Sequence, residues 1–439
     1  MGRFDFSRSS ELRPRAHRAI PGGAHTYSKG DDQFPQESPG FIRRAQGCYA
    51  WDLDGNRFLD WGMGLRTSIL GHAYPRILEA VAAELPNGCN FTRPAPLEVE
   101  VAERLIDLIP SAEMVKFAKN GSDVTTAAVR LARAYTGRDL VARCRESPFH
   151  SFDDWFIGTT PCDAGIPKVV SDLTLMFPYN DIPALQALFE SHPGQIATVI
   201  LEPVYYDPPA PGYLDALRDL TQRHGAVLIF DEIISGFRWD VRGAQHYFGV
   251  TPDLACFGKT IANGFSLSAL VGKRDIMEMG GLAHGRERVF LLSCTYGAET
   301  HSLAASLATL DEVVKRDVVP HLWTVGGALQ TGFNALAKEL DLEKAISIDG
   351  YPCSPAVMCR DASGQPSAAF RTLFLQEMVA AGVLIPYIAP SFAHGQKEVD
   401  MTLDAARRAL QVYAKALNAG SVAGLLVGPE VKPVFRRYN

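Results

Sequence analysis

The sequence has little of what would tie it to a membrane, a nucleic acid or an oxidising compartment. No apolar run approaches the ~18 residues of a membrane span, and the opening MGRFDFSRSS has no apolar segment of the secretory type. Met1-Gly2 imitates a myristoylation start, but Phe6 stands where Ser or Thr is needed. Asn90-Phe91-Thr92 is a glycosylation sequon by pattern alone. The 43 basic and 49 acidic residues leave a formal charge of −6 with no strong block of either sign, which argues against nucleic-acid and anionic-membrane partners. The eight cysteines are irregularly spaced without a C-x-x-C pair, so neither a zinc site nor a redox pair is indicated. Reduced thiols and a cytoplasmic address are expected. No repeat, no low-complexity tract and no G-x-x-x-x-G-K-[ST] phosphate loop occurs.

What is present is an ordinary globular composition, 47% hydrophobic over 439 residues, enough for one large and one small domain. Residues 1–70 read as an arm with a short helix near Ser10–Ala19, then a hairpin, CYAWDLDGNRFLDW, turning at Asp54-Gly55. DLDG resembles the start of a calcium loop, but the later ligands are missing and the turn reading prevails. Helices are expected from His72 and over Pro96–Ile109, the latter with Val99, Ala102, Leu105 and Ile106 on one face. Strands at Met114–Ala118, Gln195–Leu201, Val227–Asp231 and Ala269–Gly272 alternate with helices, which implies a mostly parallel sheet over 71–319. RVFLLSC, Arg288–Cys294, reads as one more strand running into a turn at Thr295. Residues 320–439 turn mainly helical, with short strands and a last long helix at Met401–Asn418 that stops at Gly420, and with the hairpin they form the smaller domain.

Chemistry concentrates between Val227 and Gly264. VLIFD and LACFGK each read as a buried strand delivering one charge at its end, Asp231 and Lys259. In an open α/β sheet such ends border the ligand crevice. A lysine that can form a Schiff base with an aldehyde, and an acid that can pair with a protonated pyridine nitrogen, suit pyridoxal phosphate (PLP). Asp231-Glu232 after VLIF could instead hold magnesium in a nucleotide hydrolase, a reading weakened by the missing phosphate loop. Lys119-Asn120-Gly121-Ser122-Asp123 precedes a helix: Gly121 permits close backbone approach, Ser122 or Asp123 can cap the first turn, and a phosphate would sit well there. The long aromatic loop after Cys144 carries Phe149, which can stack on a flat ring or pack in the core.

With these residues in view the chain resembles a class III aminotransferase of the fold-type I PLP enzymes, closest in pattern to glutamate-1-semialdehyde aminomutase. The likeness runs from PGG at Pro21 through LGHAYP, NGSDVTTAAVRLARAYTGR, LEPV, LIFDEIISGFR and FGKTIANG to TYGAET. It implies an α/β fold with a large PLP-binding domain, mostly parallel in its central sheet, and a smaller α+β domain. It further implies Lys259 as Schiff-base lysine and proton shuttle, Asp231 as pyridine-nitrogen partner, Gly121 and Ser122 as the phosphate turn, Phe149 as the stacking aromatic and Glu202 beneath the site. Thr295 matches a threonine that reaches the phosphate of the other subunit, so the resemblance implies a homodimer with shared active sites.

Three departures bear on substrate. Lys29 stands where the aminomutase pattern has an arginine, and an ammonium does not reproduce the bidentate fork. Glu299 adds a carboxylate where the family commonly has G-N-P, and Tyr205-Tyr206-Asp207 replaces a smaller turn. The expectation is an aminotransferase that passes an amino group from an amino-acid donor to a carbonyl acceptor such as a keto-sugar, aldehyde sugar or aminocyclitol ketone. Its rivals are an aminomutase or epimerase acting within one molecule, and a non-catalytic binding protein on the same fold. Arg238 is expected to be a structural ion-pair partner rather than a substrate ligand.

Overall fold

The computed structural model describes residues 4–438, which form two compact units: 75–319 with 437–438, and 4–74 with 320–436. The first is built on a seven-stranded sheet. In chain order its strands are β1 (Met114–Ala118), β2 (Leu140–Cys144), β3 (Thr174–Phe177), β4 (Ile196–Leu201), β5 (Val227–Asp231), β6 (Leu254–Phe257) and β7 (Ser268–Gly272). Across the sheet they lie in the order β1-β7-β6-β5-β4-β2-β3. The pairs β2–β3, β2–β4, β4–β5 and β5–β6 are parallel, whereas β7 runs antiparallel to both β6 and β1. Every residue of β4, β5, β6 and β7 is buried. That is why IATVIL and VLIF are unbroken apolar runs rather than alternating ones. Helix Tyr213–Arg223 packs Leu214, Leu217 and Leu220 against Phe177, Leu228 and Phe230 to form one of the cores.

The second unit pairs the hairpin Tyr49–Asp52 and Arg57–Asp60 with Ile42–Gln46 on one side and the short parallel strand Val383–Leu384 on the other. The hairpin turn spends its acids on the backbone: Asp52 accepts from the amide and side chain of Asn56, and Asp54 from Ser9 and the Arg8 amide. Trp61, Phe333, Phe370, Phe374, Leu410 and Tyr413 belong to the unit's core, which draws on helices Val318–Glu339, Ala368–Ala380 and Gln396–Ala419. Lys29 lies exposed in a single 3₁₀ turn of the arm, Tyr27–Lys29, and its ammonium makes no ion pair among the described residues.

Two expectations from sequence are corrected. Arg288–Cys294 is not a strand. Its alternation is real, with Val289 and Leu291 buried and Phe290 73% exposed, but the carbonyls of Phe290 and Leu291 accept from the Arg130 guanidinium instead of a neighbouring strand. Helix Pro96–Leu108 buries Val101 and Leu105, while Val99 and Ile106 face outward. The helix is apolar on more than one side, so periodicity alone does not choose its inner face. Val99, Ala102 and Ile106 instead line a groove of about 880 Å³ with Met114, Phe117 and Leu292.

Candidate active site

The site is assembled at the carboxyl ends of β4, β5 and β6. Asp231 closes β5 and pairs in register with Cys256 of β6, so Lys259 emerges three residues beyond that pairing on the adjacent strand. Register of Leu201 with Phe230 brings Glu202, buried, out beside Asp231. Lys259 is held at φ +45°, a left-handed conformation that a residue with a Cβ adopts at a cost on the order of 1–2 kcal/mol. Such local strain gathers where geometry serves function. One Asp231 oxygen, Oδ1, accepts the Ile233 amide at 3.1 Å.

The turn Lys119–Asp123 stands beside these strand ends as the N-terminus of the sixteen-residue helix Gly121–Thr136. Asn120 is its cap, accepting from the Ser122 and Asp123 amides at 3.0 and 3.3 Å, and Asp123 reaches back to the Asn120 amide at 3.0 Å. The expected caps, Ser122 and Asp123, are thus recipients or reciprocal partners, a full capping box. From β7, Ser268 Oγ donates to the Asn120 carbonyl at 2.8 Å, and just before the strand Ser266 Oγ donates to that of Lys119 at 3.0 Å. A Cβ on Gly121 would lie 2.6 Å from Ile233 Cδ1, so any larger residue there requires the Ile233 side chain to shift. The result is a rigid cradle with the positive end of a helix dipole.

The loop after β2 adds two adjacent residues facing opposite ways. Phe149 is 47% exposed, its ring edge-on to Phe156 at 5.7 Å, so it is not a core residue. His150, 1% exposed, places Nδ1 2.7 Å from Asp231 Oδ2. Sequence reasoning missed it. An H-S pair in an aperiodic loop gives no signal, and its partner lies 81 residues away. The loop is tied down by Thr125 Oγ1 donating to the His150 carbonyl at 2.7 Å and by the Glu202 amide donating to Ser147 Oγ at 3.1 Å.

A second group of residues lies on loops outside the strand ends. Glu299, the residue before helix Thr300–Lys315, forms an ion pair with Lys119, which adjoins the cradle cap. His301 follows, edge-on to Phe265 at 6.2 Å, its pKa lowered by burial and by the Lys119 charge. Thr295 is exposed on the preceding loop, with its carbonyl accepting from Asn90 Nδ2 at 3.0 Å. Tyr205 is half-buried against Tyr206, ring centroids 3.9 Å apart. Arg238 is buried in the turn after Asp231.

The donor set fits pyridoxal phosphate: an amine and a carboxylate from neighbouring strand ends, a capped helix N-terminus that begins at a glycine, and an exposed aromatic face. Comparison with known proteins agrees. The chain is 34% identical to a glutamate-1-semialdehyde 2,1-aminomutase of Syntrophobacter fumaroxidans, over 94% of this chain and 99% of that protein. Among solved structures it superposes on the PLP internal aldimine form of the FumI protein of Sphingopyxis sp. MTA144 with TM-score 0.86 and 28% identity, covering 96% of this chain and 100% of that one. An omega-transaminase from Sphaerobacter thermophilus matches with TM-score 0.83 and 29% identity over 92% and 98% of the two chains. Fold type I, PLP dependence and enzymatic activity follow. With residues 33–393 matching the aminotransferase class-III family model, the chain belongs to the class III aminotransferase family.

Proposed function

We propose that the protein is an aminotransferase that takes an amino group from an amino-acid donor and delivers it to a carbonyl acceptor bearing hydroxyl or cationic groups, such as a sugar or aminocyclitol ketone or aldehyde. The observation that carries this choice is Glu299, a carboxylate beside the cradle, paired with Lys119. Glu299 takes up the Lys119 ammonium, so that cation is not left to pair with the acidic tail of an acceptor such as glutamate semialdehyde. Lys29 in place of an arginine fork and the Tyr205-Tyr206 pair act in the same direction.

When bound, pyridoxal phosphate supplies an aldehyde that holds amino groups covalently and a ring that accepts the electron pair released when a C–H bond breaks. The chain's residues divide the remaining tasks. Lys259 Nζ would anchor the cofactor through its amine and would move the proton at that place. The Asp231 carboxylate retains the proton of the ring nitrogen. Gly121 and Ser122 would hold the phosphate, Phe149 would stack on the ring, and Glu202 would lie beneath the site. Thr295 serves the phosphate of a second copy, which makes the working unit a homodimer. The groove along Val99 and Ile106, lined by apolar and charged side chains alike, also takes in Leu292, Ser293 and Cys294 of the Thr295 loop. Eight free cysteines support a cytoplasmic address.

A second reading, an aminomutase that moves the amino group within one molecule, is favoured by the named activity of the 34% identical relative. Single amino acids added to the PLP-loaded protein decide between them. Bleaching of the visible cofactor band by one donor, and its return with a carbonyl acceptor, supports the transaminase. Turnover of an amino aldehyde with no donor present, and no bleaching by any amino acid, supports the mutase.

A further inference from the structure

In the second unit the chain does not end with its last helix. Gln396–Ala419 stops at Gly420, and residues 421–436 continue without helix or strand. A terminal segment of that kind ordinarily frays unless something ties it down. Here helix Ala368–Ala380 does so, with two buried polar side chains four residues apart, Thr372 and Gln376. Gln376 accepts the Val427 amide at 2.8 Å and donates to the Leu425 carbonyl at 3.1 Å, and Thr372 Oγ1 accepts the Val431 amide at 2.9 Å. Val422, Leu425 and Leu426 pack against the unit's core. As far as Val431 the tail is a fixed part of the fold.

Beyond Val431 it reaches the N-terminal arm. The Lys432 amide donates to the Asp32 carbonyl at 2.9 Å, and Gln33 Nε2 donates to the Lys432 carbonyl at 3.0 Å. Arg436 pairs with the Asp32 carboxylate at 2.6 Å, both side chains partly open to solvent. Asp31, one residue away, is spent on the first helix instead, pairing with Arg13 and His17 at 3.1 and 2.8 Å. The turn Asp31–Gln33 is thus held by helix Ser7–Ala19 through one acid and by the tail through the next. A cavity of about 570 Å³ adjoins it, lined by Ile20, Phe34 and Phe41 from the arm and by Ala45, Ala50 and Leu384 from the hairpin sheet. That volume is in the range of small-molecule sites.

We infer that the C-terminal tail is a latch: its first part is anchored on helix Ala368–Ala380, and its end holds the arm closed over this cavity through Arg436 and the Lys432 backbone. The two grips differ in kind. Buried hydrogen bonds fasten the tail to the helix, whereas a partly solvated ion pair at the arm is weak and loosened by salt. Opening therefore starts at Asp32 while the tail stays in place. A tail that served only to cover apolar surface would need Val422, Leu425 and Leu426, and no charge at its end.

Hydrogen exchange of the full chain, read by mass spectrometry, tests this, because the exchange of an amide reports how often its segment opens. Amides of residues 21–41 are compared with those of 368–380, with thermal unfolding as the check on folding. In R436Q the arm should exchange about two- to fivefold faster, the scale of one exposed ion pair, and in Q33A/R436Q about tenfold faster, with helix 368–380 unchanged in both. The charge swap D32R/R436D should recover most of the protection, and high ionic strength should speed the arm of the native protein more than that of R436Q. Arm exchange in Q33A/R436Q equal to native, arm and helix accelerating together, or a swap no better protected than R436Q overturns the latch. Uptake of the fluorescent dye 1-anilinonaphthalene-8-sulfonate reads the cavity itself. Q33A/R436Q should bind it faster than the native chain, and Ala45→Phe, which fills the space, should abolish the difference. An arm that opens without faster dye uptake overturns its closure over the cavity.

Discussion

The strand-end side of the site and its rim are built by opposite rules. At the strand ends Asp231, Glu202 and His150 are buried and the cradle turn is hydrogen-bonded at both ends, with Ile233 filling the space against Gly121. Along the rim, Thr295 is exposed, Tyr205 is half-buried, and the Glu299–Lys119 pair is partly open to solvent. Rigid, buried placement suits a cofactor that every turnover shares, and partly solvated loop residues suit the substrate, which varies between relatives. On the proposed function, the sheet would hold the chemistry and segments the sheet does not constrain would set selectivity.

The comparison is broken most severely at Lys259. Lys259→Ala is expected to lower turnover by at least about 10³-fold, measured as kcat with saturating donor and acceptor; a loss under tenfold would move the essential amine elsewhere. Next comes Gly121→Ala, whose Cβ would sit 2.6 Å from Ile233 Cδ1. Overpacking of this kind costs about 1–3 kcal/mol, and cofactor affinity should fall about tenfold or more as the cradle shifts. Thermal unfolding and PLP titration report both, and Ile233→Ala added to Gly121→Ala should recover part of the loss. A rim change should do less. Thr295→Ala is expected to weaken PLP about three- to tenfold, the net scale of one ordinary hydrogen bond, and unchanged affinity would remove Thr295 from the phosphate. The smallest effect belongs to Glu299→Gln. The Lys119 ammonium is more than a third exposed, so solvent screening limits the change in stability to under about 1 kcal/mol. What should move is preference: acidic carbonyl acceptors gain in kcat/KM relative to neutral ones. An unaltered ratio would place Glu299 outside the substrate's reach.

The same contrast governs what was legible in the sequence. β4 to β7 are buried along their whole length, so their apolar runs and the charges that end them could be read without a fold in hand. The cradle was legible because a capping turn is local, although Asn120 and not Ser122 proved to be the cap. Features fixed by distant residues were not. His150 finds Asp231 across 81 positions and Lys119 finds Glu299 across 180, and neither pairing leaves a periodic trace. Val289–Leu291 shows the converse error: its alternation is genuine, yet the guanidinium of Arg130 occupies the carbonyls that a strand partner would need.

The central claim is that the amine issued past β6 and the acid ending β5 hold pyridoxal phosphate between them. Borohydride reduction of the PLP-loaded protein, followed by proteolysis and mass spectrometry, tests it most directly, because reduction makes the amine's bond to the cofactor permanent. The expected result is one pyridoxyl group per chain, on the peptide that contains Lys259. A label on another lysine, or none on a protein that shows the cofactor's visible band, would contradict it.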